Sequence, residues 1–172
     1  MSMSTERQQQ QQQQLQLLDL RYNDICGVQG AQALSTYLSQ SSLEILHLEG
    51  NELGDEGTEA LCKSTTSMSS SLSLRELYLG QNKIGPIGGR ALARSLPTLL
   101  SRVKKLYLDG NDIGTVGAKA FIDVLEEAMT DNEKVLEKLY VDNNGIAKDE
   151  AIRLGAALNS ATMIGSSAFY QE

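Results

Sequence analysis

Apolar residues recur along this chain in one pattern, five times over. An apolar residue opens each copy, two more stand one residue apart, an Asn follows, and an Ile or Leu comes two residues after it. The copies begin at Leu15, Leu43, Leu74, Val103 and Leu136, with start-to-start spacings of 28, 31, 29 and 33 residues. The pairs Leu18/Leu20, Leu46/Leu48, Leu77/Leu79, Leu106/Leu108 and Leu139/Val141 have the spacing of two that puts both members on one face of a short strand. Ile25, Leu53, Ile84, Ile113 and Ile146 follow as further core positions. The period then changes. Leu34, Leu61, Leu92, Phe121 and Leu154 are each followed four residues later by Leu38, Thr65, Leu96, Leu125 and Leu158, the inner stripe of a helix. Gly30, Gly57, Gly88 and Gly117, with Glu150 in the fifth copy, stand just before the predicted helices. The small residues Ala31, Thr58, Gly89, Ala118 and Ala151 let each helix start approach its neighbour. Thr65 interrupts the second stripe and a Ser-rich stretch, 64–73, surrounds it, which predicts a short second helix and a loose loop.

A period near 30 residues marks a solenoid, in which no unit buries its own apolar face. The expected fold is therefore α/β, with a parallel sheet along one side and helices along the other. Strands stack roughly 4.8 Å apart and packed helices about 8–10 Å apart, so the sheet side is concave and the helix side convex. Five asparagines keep one register: Asn23, Asn51, Asn82, Asn111 and Asn144. Where the chain leaves a strand its N–H and C=O groups lose their partners, and an Asn amide can both donate and accept there. These asparagines read as a structural ladder. The repeat Leu-x-x-Leu-x-Leu-x-x-Asn-x-Ile/Leu resembles the leucine-rich repeat family, in its longer ribonuclease-inhibitor-like subclass, from Leu15 to about Leu158. The resemblance implies a curved horseshoe arc of five repeats.

The expected layout is a disordered Gln-rich tail at 1–14, repeats over 15–158 and a C-terminal tail at 159–172. Neither end reads as a dedicated cap, which leaves end-to-end self-association open. The net charge of −7 argues against nucleic acid and anionic membrane as partners of the whole molecule. The charge is uneven. Residues 1–60 hold 2 basic and 9 acidic side chains, residues 61–105 hold 8 and 1, and residues 106–172 hold 5 and 12. The basic middle comes mostly from Arg90, Arg94, Arg102, Lys104 and Lys105. Cys26 and Cys62 form no closely spaced pair, and residues 1–14 lack an apolar run of signal-peptide type. An intracellular, cytoplasmic setting is expected.

Catalytic motifs find no support in the sequence. Gly80 to Gly85 follows a strand as a phosphate loop would, but Pro86-Ile87 stands where Lys-Ser/Thr is needed. Asp109 to Gly114 begins like a calcium loop, yet Ile113 and Ala120 occupy ligand positions. His47 is the only histidine and has no nucleophile arrangement around it. The expectation is no enzyme, no metal and no cofactor.

Residues between the buried leucines point out of the sheet, into the hollow. One lane reads Asp19, His47, Tyr78, Tyr107, Tyr140. The next reads Arg21, Glu49, Gly80, Asp109, Asp142. On the other side run Leu17, Ile45, Glu76, Lys105, Lys138. Tyrosine combines contact area with a polar tip and is enriched at binding hot spots, and the acidic lane favours a basic or amide-rich partner. The expected function is protein binding on this face, through Asp19, Arg21, His47, Glu49, Tyr78, Lys105, Tyr107, Asp109, Lys138, Tyr140 and Asp142. The resemblance implies kinship with the sensor arms of NOD-like receptors. It also implies an alternative, a GTPase-activating protein of the Ran-activator type. Those end in a strongly acidic tail, and the last fourteen residues here hold one acid, Glu172.

Overall fold

The computed structural model describes residues 15–64, 73–97, 101–130 and 136–161. Among these, five strands alternate with five helices: β1 (Leu17–Asp19), α1 (Gly27–Gln40), β2 (Ile45–His47), α2 (Gly54–Ser64), β3 (Glu76–Tyr78), α3 (Pro86–Ser95), β4 (Lys105–Tyr107), α4 (Gly114–Thr130), β5 (Lys138–Tyr140) and α5 (Lys148–Ala161). The strands form one parallel sheet in the order β1-β2-β3-β4-β5, and each helix packs on its sequence neighbours. The expected α/β repeat solenoid is the architecture found.

The core lies between the two layers. Leu46, Leu77, Leu106 and Leu139 from the strands are at most 1% exposed, and Leu92, Phe121 and Leu154 from the helices are fully buried. The apolar frame weakens toward the first repeat, where Leu18, Leu20 and Ile25 are only partly buried. Ile146 in the fifth repeat is likewise partly exposed. Thr65 and the Ser-rich loop lie outside the described residues. Over the described residues α2 spans 11, against 14, 17 and 14 for α1, α4 and α5, and α3 spans 10. Pro97, which has no N–H to donate, follows the C-cap Leu96, itself still helical at φ −56°, ψ −47°.

The repeat glycines also need correction, for they stand inside the first helical turn rather than ahead of it. The reason is close packing. A Cβ on Gly88 would lie 2.7 Å from Ile84 Cγ2, and one on Gly57 would lie 2.9 Å from the carbonyl oxygen of Gly27.

Three-residue strands cannot hold a sheet by themselves, and the asparagines extend the pairing into the turns. Asn51 Oδ1 accepts from the N–H groups of Asn23 (3.0 Å) and Ile25 (2.9 Å), while its Nδ2 donates to Leu20 O and Leu48 O. Asn111 repeats this two periods later, accepting from Asn82 N and Ile84 N and donating to Leu79 O and Leu108 O. Asn144 Nδ2 donates to Leu108 O and Val141 O. Each amide thus ties its own turn to the turn before. Asn82 makes only the donor half: its Nδ2 reaches Leu48 O and Gly80 O, but its buried Oδ1 has no partner. Asn23, in the first repeat, is exposed rather than buried, and its amide donates locally to Arg21 O. It has no earlier turn among the described residues to hold.

The turns come in two forms. In repeats two and four the Gly three residues after the Asn, Gly54 or Gly114, takes a left-handed φ near +60° and opens the helix. Gly85 holds the same position in repeat three but has φ −91°, because Pro86 follows it. There Lys83, one residue after the Asn, is left-handed instead. The start of α3 is then capped from outside: Asp55, in the first turn of α2, accepts from Gly85 N (2.8 Å) and Gly88 N (2.7 Å). Thr115 in α4 accepts from Ala147 N ahead of α5 in the same way (3.0 Å). No residue of α3 itself could supply this acceptor, since its own N-cap is Gly85.

Asn111→Ala is expected to destabilise the fold by about 1–3 kcal/mol, because it removes the partner of the buried N–H groups of Asn82 and Ile84 and of the Leu79 carbonyl. Asn82→Ala should cost less, since its oxygen is already unpartnered. Equilibrium urea denaturation of both variants checks the order. Asp55→Ala should cost about 1 kcal/mol through loss of the α3 cap, read as a shift in the same midpoint.

Candidate protein-binding face

The parallel register carries more than backbone pairing. Asp19, His47, Tyr78, Tyr107 and Tyr140 are successive Cα partners across the sheet. Flat side chains at one register of a parallel sheet meet at about the strand spacing. The four rings therefore stack. Centroids lie 4.1 Å apart for His47–Tyr78, 4.1 Å for Tyr78–Tyr107 and 4.4 Å for Tyr107–Tyr140, with interplanar angles of 21°, 7° and 4°. All four residues are half-buried. What the sequence shows as a lane of separate tyrosines is one continuous aromatic ladder.

Each side of the ladder carries its own charge. Glu76 is bound at both oxygens: Lys105 Nζ donates to Oε1 (2.7 Å) and the Tyr78 hydroxyl donates to Oε2 (2.8 Å). The Lys105 bond holds the Glu76 carboxyl below its usual range, helped by Tyr78, and the same bond raises Lys105. Burial raises the Tyr78 phenol, with hydrogen bonding to Tyr107 and Glu76 adding to it, so Tyr78 stays neutral. Lys105 and Lys138 are register partners on β4 and β5 and give this rim its positive end.

The opposite rim is acidic. Glu49, Asp109 and Asp142 are half-buried along it, with Gly80 between the first two. A Cβ at Gly80 would lie 3.1 Å from the Asp109 carbonyl oxygen, so the gap in this lane is a packing requirement. Glu49 Oε1 lies 3.1 Å from His47 Nδ1, while its Oε2 is buried without a partner. Asp109 Oδ1 accepts from Asp142 N (3.1 Å).

Two residues expected to meet a partner separately are bound to each other. Arg21 Nε and Nη2 grip Asp19 at 2.6–3.1 Å, and this contact lowers the Asp19 carboxyl to about 2. The first strand therefore offers a closed ion pair instead of an extension of either lane. The basic middle of the chain is also divided. Lys105 faces the ladder, whereas Arg90 and Arg94 stand on α3 on the helix side. Sequence reasoning missed the stacking itself and the Asp55 and Thr115 caps. The caps leave a signal: both residues stand four after the Asn of an even-numbered repeat.

Cys26 is exposed at the N-cap of α1. Cys62 is buried, and burial pushes its thiol up to about 11. Among the described residues no three His, Cys, Asp or Glu side chains converge on a metal-sized site. None of the described helices is long and apolar enough to cross a membrane. A thiol reagent at pH 8 is expected to label one cysteine in the folded chain and both in denaturant. Fast labelling of two in the native protein would contradict the burial of Cys62.

A family model described as Leucine Rich repeat matches residues 39–62, 70–93 and 103–121. No curated protein matches the chain by sequence. Among solved structures, the actin-binding site 2 of leiomodin-1 superposes with a TM-score of 0.67 at 14% identity, covering 87% of this chain and 82% of that one. The tropomodulin C-terminal domain of Caenorhabditis elegans gives 0.64 at 16% identity, covering 87% and 86%. At such identities the likeness is one of fold.

Proposed function

We propose that this chain, a member of the leucine-rich repeat family, is a non-enzymatic interaction module that binds a protein along its sheet face. The observation that carries the reading is the ladder of His47, Tyr78, Tyr107 and Tyr140 between rims of opposite charge. Stacked rings present a rigid apolar floor with little side-chain entropy left to lose on binding. A partner segment with Lys, Arg or amide groups on one side and acidic groups on the other fits both rims. Two cysteines with no disulfide between them suit a reducing, cytoplasmic setting. One structural relative is described as an actin-binding site, which makes actin the first defined protein to offer.

The cleanest test neutralises the acidic rim without changing its shape, as Glu49→Gln, Asp109→Asn and Asp142→Asn together. Binding of a partner captured by the wild type should fall at least tenfold, with the unfolding midpoint little changed. Full retention of binding would remove the sheet face from the function. Replacing the three tyrosines by Ala is a poorer test, because each stacked pair contributes about 0.5–1.5 kcal/mol to the fold.

A second reading, self-association, has its own observation. The first repeat leaves an open apolar depression of about 480 Å³, lined by Leu18, Ile25, Gly30, Ala33, Leu34 and Tyr37. Leu15 and Leu17 of the same repeat are 49% and 47% exposed. Solenoid ends need their core covered, and a second copy docked there would do so. Tyr37→Glu should then abolish any dimer seen by sedimentation equilibrium. A wild type that stays monomeric at high concentration excludes this reading.

A further inference from the structure

On the helix side, α2 and α3 part to leave a groove of about 530 Å³. Its shape follows from residue size. The facing residues here are Cys62 and Ser95, whose side chains meet at 3.6 Å. At the same register α3 and α4 carry Ala93 and Val124, and α4 and α5 carry Ile122 and Ala157. Each of those two pairs holds a β-branched residue that the α2–α3 pair lacks; the α1–α2 pair, Ser35 and Ser64, lacks one as well. Ala91 also lines the groove, and Ile87 stands in its wall 53% exposed. Arg90 and Arg94 lie one helical turn apart along it. Neither makes an ion pair among the described residues, whereas the one acid in the groove, Glu59, is held by Lys63 at 2.8 Å. Two unneutralised guanidinium groups beside an apolar floor are unusual on a chain of net charge −7.

We infer that this groove docks an amphipathic helix of a partner protein, with acidic residues one turn apart on Arg90 and Arg94 and an apolar stripe on Ile87 and Ala91. The match is geometric as well as electrostatic. A helix advances 1.5 Å per residue, so acids at i and i+4 on the incoming helix repeat at the interval of Arg90 and Arg94. Guanidinium groups take carboxylates in bidentate fashion, and a helix laid in a groove buries apolar anchors at this same spacing. The groove lies on the layer opposite the aromatic ladder, so the inference stands without the sheet-face reading.

The test uses the full chain and a fluorescent helical peptide of about five turns, with Leu and Ala on one stripe and Glu at i, i+4 beside it. Fluorescence anisotropy should show saturable binding, weakened at least tenfold by Arg90→Glu with Arg94→Glu and, separately, by Ile87→Glu. A peptide with Lys in place of Glu, and a scrambled peptide of the same composition, should each bind at least tenfold more weakly to the unaltered chain. These two arms need no variant to fold. The Glu49→Gln, Asp109→Asn, Asp142→Asn variant should bind the acidic peptide as the wild type does. No saturable binding, equal binding of the scrambled peptide, or indifference to the arginine reversal would each overturn the inference. A dimer of the unmixed chain that dissolves on arginine reversal would overturn it too, by giving the groove to a second copy.

Discussion

The buried asparagine amide is the constraint on which the rest depends. A strand of three residues pairs too little backbone to fix its own register, and the turn that follows would leave N–H and C=O groups buried and unpaired. Asn51 and Asn111 remove that cost by accepting from the preceding turn and donating to the ends of two strands at once. Because each amide bridges two repeats, register passes from one unit to the next without slippage. Leu46, Leu77, Leu106 and Leu139 then fall in one buried row. The same register puts Tyr78, Tyr107 and Tyr140 in one outward row, so the stacked ladder is the outer consequence of the inner hydrogen bonds.

That transmission is not uniform, and the departures have local causes. Pro86 denies Gly85 the left-handed conformation that Gly54 and Gly114 adopt, and repeat three therefore turns differently from its neighbours. Asp55 compensates by reaching across from α2 to cap α3. A Cβ at Gly85 would sit 2.8 Å from Asp55 Oδ2, so the glycine is required by the cap rather than by its own φ. The unpartnered Asn82 Oδ1 marks where this change of turn form interrupts the relay.

Most of the fold was legible because it is periodic. Core leucines and asparagines recur at nearly constant spacing, and a repeated error in reading them would have broken the pattern five times. What escaped was set by single residues or by pairs from different repeats. The Asp19–Arg21 ion pair is a local event within the first repeat. The place of Gly88 inside α3 depends on how closely Ile84 approaches. The tyrosine lane was visible as composition, but parallel stacking at 4.1–4.4 Å required knowing that neighbouring strands were in exact step.

The same contrast bears on where function resides. Positions that repeat faithfully are those the solenoid needs, and their chemistry is spent inside it. Positions free to vary carry whatever the molecule presents to others. On the sheet face Glu76, Lys105 and Lys138 give one rim, Glu49, Asp109 and Asp142 the other, and none is required by the repeat. On the helix face the small pair Cys62 and Ser95 leaves a groove between α2 and α3, and Arg90 and Arg94 line it. The two proposed binding surfaces rest on these two departures, which lie on opposite layers and differ in charge, so that neither surface would block the other. The rigid core between them, handed down by the asparagines, is what keeps the two surfaces at a fixed distance.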